Sequence, residues 1–231
     1  MSYQNTDVYR YLVFLKKYLE GDLELFARLA SEAEASEKKQ IELSKRKGCF
    51  HLFGGAKSNS SSTVITTTKY PYSFEFMFGD PVISRATVPN TATLFATIDI
   101  LGFLTRTGTD FCNTTGNFTT FFNDPSISLD PTELSVLIKV YRHGMTHSYF
   151  PKLNMEISYH SSNPQGVMFF KNRAGDLVLN VNYLEYVVMT RLDSVFNDAS
   201  LYPNMDAQYT YLTTQYENSC RVDINNLKAR L

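Results

Sequence analysis

Arg142, His143 and His147 lie within six residues of one another, in a chain of 231 residues that holds only four histidines. Imidazole moves protons near neutral pH, and guanidinium holds phosphate in a planar fork. An arginine with a histidine five positions on therefore points to phosphodiester chemistry. In that reading His147 moves the proton, Arg142 holds the phosphate and His143 supports them. Two other readings compete. His143 and His147 are four apart, share a helical face and could chelate zinc, with His51 or His160 completing the set. The motif supplies no third ligand, and the glutamate of the helical zinc-protease pattern is missing. Alternatively, Arg142 and His147 only cap helix carbonyls.

The element that must position these residues is the best-signalled helix of the chain. Asp130 is a natural N-cap, Pro131 suits the first helical position, and Glu133 completes a capping box. Leu134, Leu137, Ile138, Tyr141 and Met145 fall on one face. The helix is stopped by Ser148-Tyr149-Phe150-Pro151. Residues five apart on an ideal helix lie about 140° from each other, so Arg142 and His147 would not share a face of a regular helix. Gly144 loosens the helix between them, and Pro151 ends it soon after.

A second helix is expected over 91–106, introduced by Pro89, with Leu94, Ile98 and Leu101 in its apolar stripe. Asp99 lies inside it, and a carboxylate there is either at the helix edge in water or in use. Gly108 to Gly116 reads as a polar loop, and Phe118, Phe121 and Phe122 as a short helix plugging the core. At the amino terminus Val8, Tyr11, Leu12, Leu15, Tyr18 and Leu19 recur at helical steps, capped by Asn5 or Thr6. Gly21-Asp22 is a place to bend or break that helix. Charged residues dominate from Ser31 to Lys47, and Lys45-Arg46-Lys47 suits a solvated helix end.

Gly54-Gly55-Ala56-Lys57 and the serines after it read as a flexible linker, without the full spacing of a phosphate-binding loop. Residues 64–68 and 72–78 read as strands or an extended arm. Between 153 and 181 the pattern changes to three short apolar runs, expected as an antiparallel hairpin or three-stranded meander. Helices follow over 182–197 and 206–220. The fold class is thus mainly α, an antiparallel helical bundle with a small antiparallel β insertion.

Arg142, polar His143, three residues and His147 resemble the Arg-x4-6-His signature of HEPN domains. The order of helices over 91–197 is similar to theirs. The resemblance implies a metal-independent endoribonuclease in which the ribose 2′-hydroxyl attacks the adjacent phosphate and leaves a cyclic phosphate. It also implies a homodimer with both arginine–histidine pairs facing a shared cleft. Asp99 matches an acidic residue that some members carry on the neighbouring helix. Many members serve in phage defence or toxin–antitoxin systems, so an antitoxin or defence-system partner is implied as well. Others have lost activity and act as binding modules, which makes a non-catalytic interaction module the alternative. On this reading residues 1–62 are a long helix and linker, and 63–231 are the HEPN-like domain.

Composition bounds these readings. Net charge is −1 and the isoelectric point about 6.4, which argues against a non-specific nucleic-acid binder but not against a small basic cleft. Fifteen tyrosines and seventeen phenylalanines, with no tryptophan, suit core packing. Cys49, Cys112 and Cys220 are widely spaced and form no metal-binding pair, so a reducing cytoplasm is the expected home. No secretory signal, membrane span or cofactor motif is expected. Asn113-Thr-Thr and Asn117-Phe-Thr match the glycosylation pattern only formally.

Overall fold

The computed structural model describes residues 3–50, 81–108, 110–127, 129–148, 155–172 and 175–231. Within its helices the side chains at 37, 40, 41, 43–50, 81–86, 147, 148, 215 and 216 are not described. The expected linker after Gly54, both expected strands before residue 80, and His51 therefore lie outside the described residues, as do the side chains of Cys49 and Lys45-Arg46-Lys47.

Helix α1 is Asp7–Phe50. Thr6 caps it, its hydroxyl accepting from the Tyr9 amide at 3.3 Å. The chain does not break at Gly21, contrary to expectation. One glycine inside a helix costs only about 1 kcal/mol relative to alanine, and Leu19 and Leu23 on either side of it are buried. Val8, Leu12, Ala30 and Ala33 are buried too, so the first eight turns of α1 belong to the main core. They pack against α2 (Pro81–Thr105), α6 (Val181–Asn197) and α7 (Tyr202–Tyr211).

Helix α2 is the central element. Leu94, Ile98, Leu101, Phe103 and Leu104 are fully buried on several of its faces. It starts at Pro81, so Pro89 is interior rather than introductory. A proline there withholds one backbone donor, yet the helix continues through it. Thr87–Thr105 is long and apolar enough to cross a membrane by length and composition, against the expectation that no such segment exists. It is 72% buried within the protein, as a core helix is.

Helix α3 (Thr114–Phe122) is the expected plug, with Phe118, Phe121 and Phe122 all buried. It lies against α2 so closely that a Cβ at Gly102 would overlap the Asn117 carbonyl. Helix α4 (Pro131–Val136) opens with the full capping box at Asp130 and Glu133. It runs into a π-helical stretch, Leu137–Arg142, and from there into α5, His143–Ser148. The His143 amide reaches back five residues to the Ile138 carbonyl, the mark of a π turn.

Three short strands follow: β1 (Glu156–Ser158), β2 (Phe169–Lys171) and β3 (Leu177–Asn180). Their order is β1-β3-β2. β2 and β3 form an antiparallel pair, with Phe170 opposite Val178. β1 runs parallel to β3, with Ile157 opposite Leu179. The sheet is therefore mixed, which corrects the expected meander. A tight hairpin needs a short loop; the segment 159–168 is long enough to carry the chain past β3 to its other edge. The last helix also runs longer than expected, from α7 through π-helical Leu212–Tyr216 into α8, Glu217–Lys228. Its aromatics pack as core: Tyr202 stacks on Tyr3 at 4.5 Å, and burial pushes its hydroxyl up to about 12. The protein is mainly helical, with one small mixed sheet.

Candidate functional site

Arg142 is the last residue of the π-helical stretch, and this changes where it points. A π turn widens the helix by one residue, so the faces before and after it are out of α-helical register. The residues between Arg142 and His147 lie in α-helical α5, so the separation of about 140° expected between these two positions stands, and only the face upstream of residue 142 is shifted. The guanidinium Nη2 lies 3.2 Å from Asp99 Oδ2 on α2 and donates to Thr114 Oγ1 on α3 at 3.0 Å. Three helices thus meet at one charge pair.

Asn117 completes the cluster. Its Nδ2 donates to Asp99 Oδ1 at 3.4 Å and to the Phe111 carbonyl at 3.1 Å. The close approach of α3 to α2 at Gly102 is what brings Asn117 within reach. Asn113 fixes the start of α3 by accepting from the Gly116 amide at 2.9 Å. Both asparagines of the formal glycosylation pattern are therefore structural, and Asn117 is only 1% exposed. Its Oδ1 is buried without a hydrogen-bond partner.

The pair sits at the edge of the core. The Arg142 and Asp99 side chains keep 17% and 19% of their exposure. Burial pushes the Asp99 carboxyl above its usual range, and Arg142 and Asn117 pull against that shift without cancelling it. A carboxyl in that state exchanges a proton nearer neutrality than a solvated one does. An anionic phosphate brought to Arg142 would push Asp99 further the same way.

Of the residues singled out in the sequence, Arg142 and Asp99 are brought together. His143 is half-buried at the start of α5. His147 lies one turn further along α5, and its side chain is outside the described residues. Thr114 and Asn117 were not legible as site residues, since nothing in a Thr-Thr-Gly-Asn run marks it as facing an arginine. Among the described residues no group of three metal-ligating side chains exists. His160, named as a third zinc ligand, instead faces Glu34 of α1, its Nε2 at 3.8 Å from Oε1.

That second cluster was invisible in the sequence. Glu34 accepts from the Ser161 amide at 2.7 Å and from its hydroxyl at 2.6 Å. Burial alone would raise the Glu34 carboxyl, but the Ser161 bonds and nearby His160 hold it below its usual value. Comparison with protein-family models, with curated proteins and with solved structures finds no match to this chain.

Proposed function

We propose that the chain is a HEPN-like endoribonuclease, its helices forming an antiparallel bundle, acting as a homodimer in the cytoplasm. The observation that carries this is the Arg142–Asp99 pair, 3.2 Å apart and partly open to solvent at the end of a π-helical stretch. Arginine plus a carboxyl with a raised proton affinity supplies both halves of phosphodiester chemistry, a charge clamp and a proton carrier. In this reading Arg142 holds the scissile phosphate. His147 takes the 2′-hydroxyl proton as that oxygen attacks phosphorus, the bond from phosphorus to the 5′-oxygen breaks, that oxygen leaves with the proton of the Asp99 carboxyl, and a 2′,3′-cyclic phosphate remains. Asp99 orients the guanidinium, and His143 supports the site. The partners are RNA, a second copy of the chain, and an antitoxin or defence-system protein that restrains cutting.

The competing reading, a non-catalytic interaction module, has its own observation. The Arg142 Nη2 is already satisfied inside the protein by Asp99 and Thr114, as a purely structural arginine is. RNA cleavage in EDTA by wild type, Arg142→Ala and His147→Ala, with end-group analysis of the fragments, decides between the two. Cutting that leaves cyclic phosphate ends and is lost in folded variants supports the nuclease. Absence of cutting by the wild type across structured and unstructured RNAs favours the module.

A further inference from the structure

A cavity of about 660 Å³ opens between the β1–β2 connection and the first turns of α6, formed by residues other than those of the Arg142 cluster. We infer that it binds an unpaired nucleobase, stacked on Tyr186 and read along one edge by Asn182 and Gln165. Tyr183 and Tyr186 stand one turn apart on α6 with their rings 5.9 Å apart and 24° from parallel. Tyr186 is 62% exposed, an aromatic face that the fold leaves open to solvent. Exposed stacked aromatics are what single-stranded bases use.

The polar groups around the cavity decide what kind of ring fits. Most are already spent on the protein. Asn163 donates to the Ser158 carbonyl, Asn180 Oδ1 and Asn182 Oδ1, and accepts from the Ser158 hydroxyl. Asn182 Oδ1 also takes the His160 amide, and Ser161 is bound to Glu34. Among the described residues, Asn182 Nδ2 and the exposed Gln165 amide remain for a ligand, with the tyrosine hydroxyls at the rim. A sugar ring presents hydroxyls on all sides, and each left unpaired on burial is costly. A nucleobase presents two apolar faces and one short hydrogen-bonding edge, which this inventory can meet. Among the described residues no lysine or arginine lines the cavity, which suits a base with its phosphates left outside.

The loop is built to hold that shape before anything binds. Asn180, fully buried, donates to the Pro164 and Val167 carbonyls at 2.7 and 3.0 Å. Gly166 takes φ +75°, a left-handed turn that a larger residue resists. A pre-formed pocket loses little entropy on binding.

Calorimetric titration of the full chain with adenosine, uridine, methyl glucoside and an unstructured eight-nucleotide RNA tests this. At least one nucleoside or the oligonucleotide is expected to bind wild type. Tyr186→Ala is expected to weaken binding about ten-fold or more, and Tyr186→Phe to preserve it. Binding of the oligonucleotide but not of nucleosides identifies the base as part of a strand; binding of both admits free nucleosides. Preference for methyl glucoside, no binding by wild type, or binding unchanged in Tyr186→Ala overturns the inference. Because the cavity does not use Arg142, Arg142→Ala keeps nucleoside binding whether or not the chain cuts RNA.

Discussion

The Arg142 cluster and the His160–Asn182 loop are both polar networks at the margin of the core, yet they are built in opposite ways. At Arg142 two opposite charges face each other across three helices, and one member, Asn117, keeps a buried oxygen unsatisfied. In the loop, the neutral amides of Asn163, Asn180 and Asn182 exchange hydrogen bonds, and the one carboxylate that reaches it, Glu34 of α1, is met by the Ser161 amide and hydroxyl. A network of neutral amides saves the desolvation that charges cost, and so suits a fixed scaffold. The first region thus keeps a charge pair at the solvent edge, and the second holds its shape through hydrogen bonds between neutral groups.

The largest effect that would break this contrast is catalytic. If Arg142 clamps phosphate, Arg142→Ala lowers RNA cleavage about 100-fold or more, while denaturant melting shows it still folded. Asp99→Asn keeps the shape but removes the charge, and is expected to lower cleavage less than Arg142→Ala does. Equal loss of stability in both variants without any cleavage to lose would make the pair a structural brace like the loop.

Next in size is the contact that assembles the charged cluster. Gly102→Ala places a methyl group on the Asn117 carbonyl, which is backbone and cannot swing aside. Helix α3 must move away from α2, at a cost of about 3 kcal/mol. Urea unfolding with an unchanged m-value measures it. The same shift draws Thr114 and Asn117 away from Arg142 and Asp99, so cleavage falls with stability. Asn180→Ala is the counterpart in the loop. It strips partners from two carbonyls and costs about 2 kcal/mol, yet it leaves the Arg142 cluster intact. Cleavage per folded molecule is therefore expected to be unchanged, whereas nucleobase binding falls.

The sequence made these two regions unequally visible. Arg142 and Asp99 stand out because charged residues in apolar helices are rare, and the capping box at Asp130 and the phenylalanine plug are local patterns that survive folding unchanged. What a local pattern cannot carry is a turn of different period. Leu137–Arg142 has no residue that marks a π stretch, so the register of Arg142 relative to the residues before it could not be read from spacing. The mixed sheet was hidden for a related reason: three apolar runs look alike whether β1 pairs with its neighbour in sequence or with β3. Glu34 and Ser161 are 127 residues apart, and neither is unusual by itself. Gly102 reads as a lone helical glycine until α3 is laid against it.

The smallest effect separates the two regions by pH. Burial pushes the Glu185 carboxyl above its usual range, against hydrogen bonds from Asn90 and Tyr159 that favour the ionised form. A carboxyl raised in the folded state binds its proton more tightly there than in the unfolded chain. Its contribution to stability is complete below the ordinary value and is lost as pH rises through the folded value. Glu185→Gln removes this titration while keeping an acceptor for the Asn90 amide. The variant should match wild type at the acid end and melt higher above the window, by no more than about 2 °C. Asp99 is raised by the same physical cause and is untouched by the change, so part of the pH slope should persist in Glu185→Gln. Removing both with Asp99→Asn/Glu185→Gln should flatten it further. If Glu185→Gln alone abolished the slope, Asp99 would not be titrating in that window, and the charged cluster would lose its claim to a proton carrier.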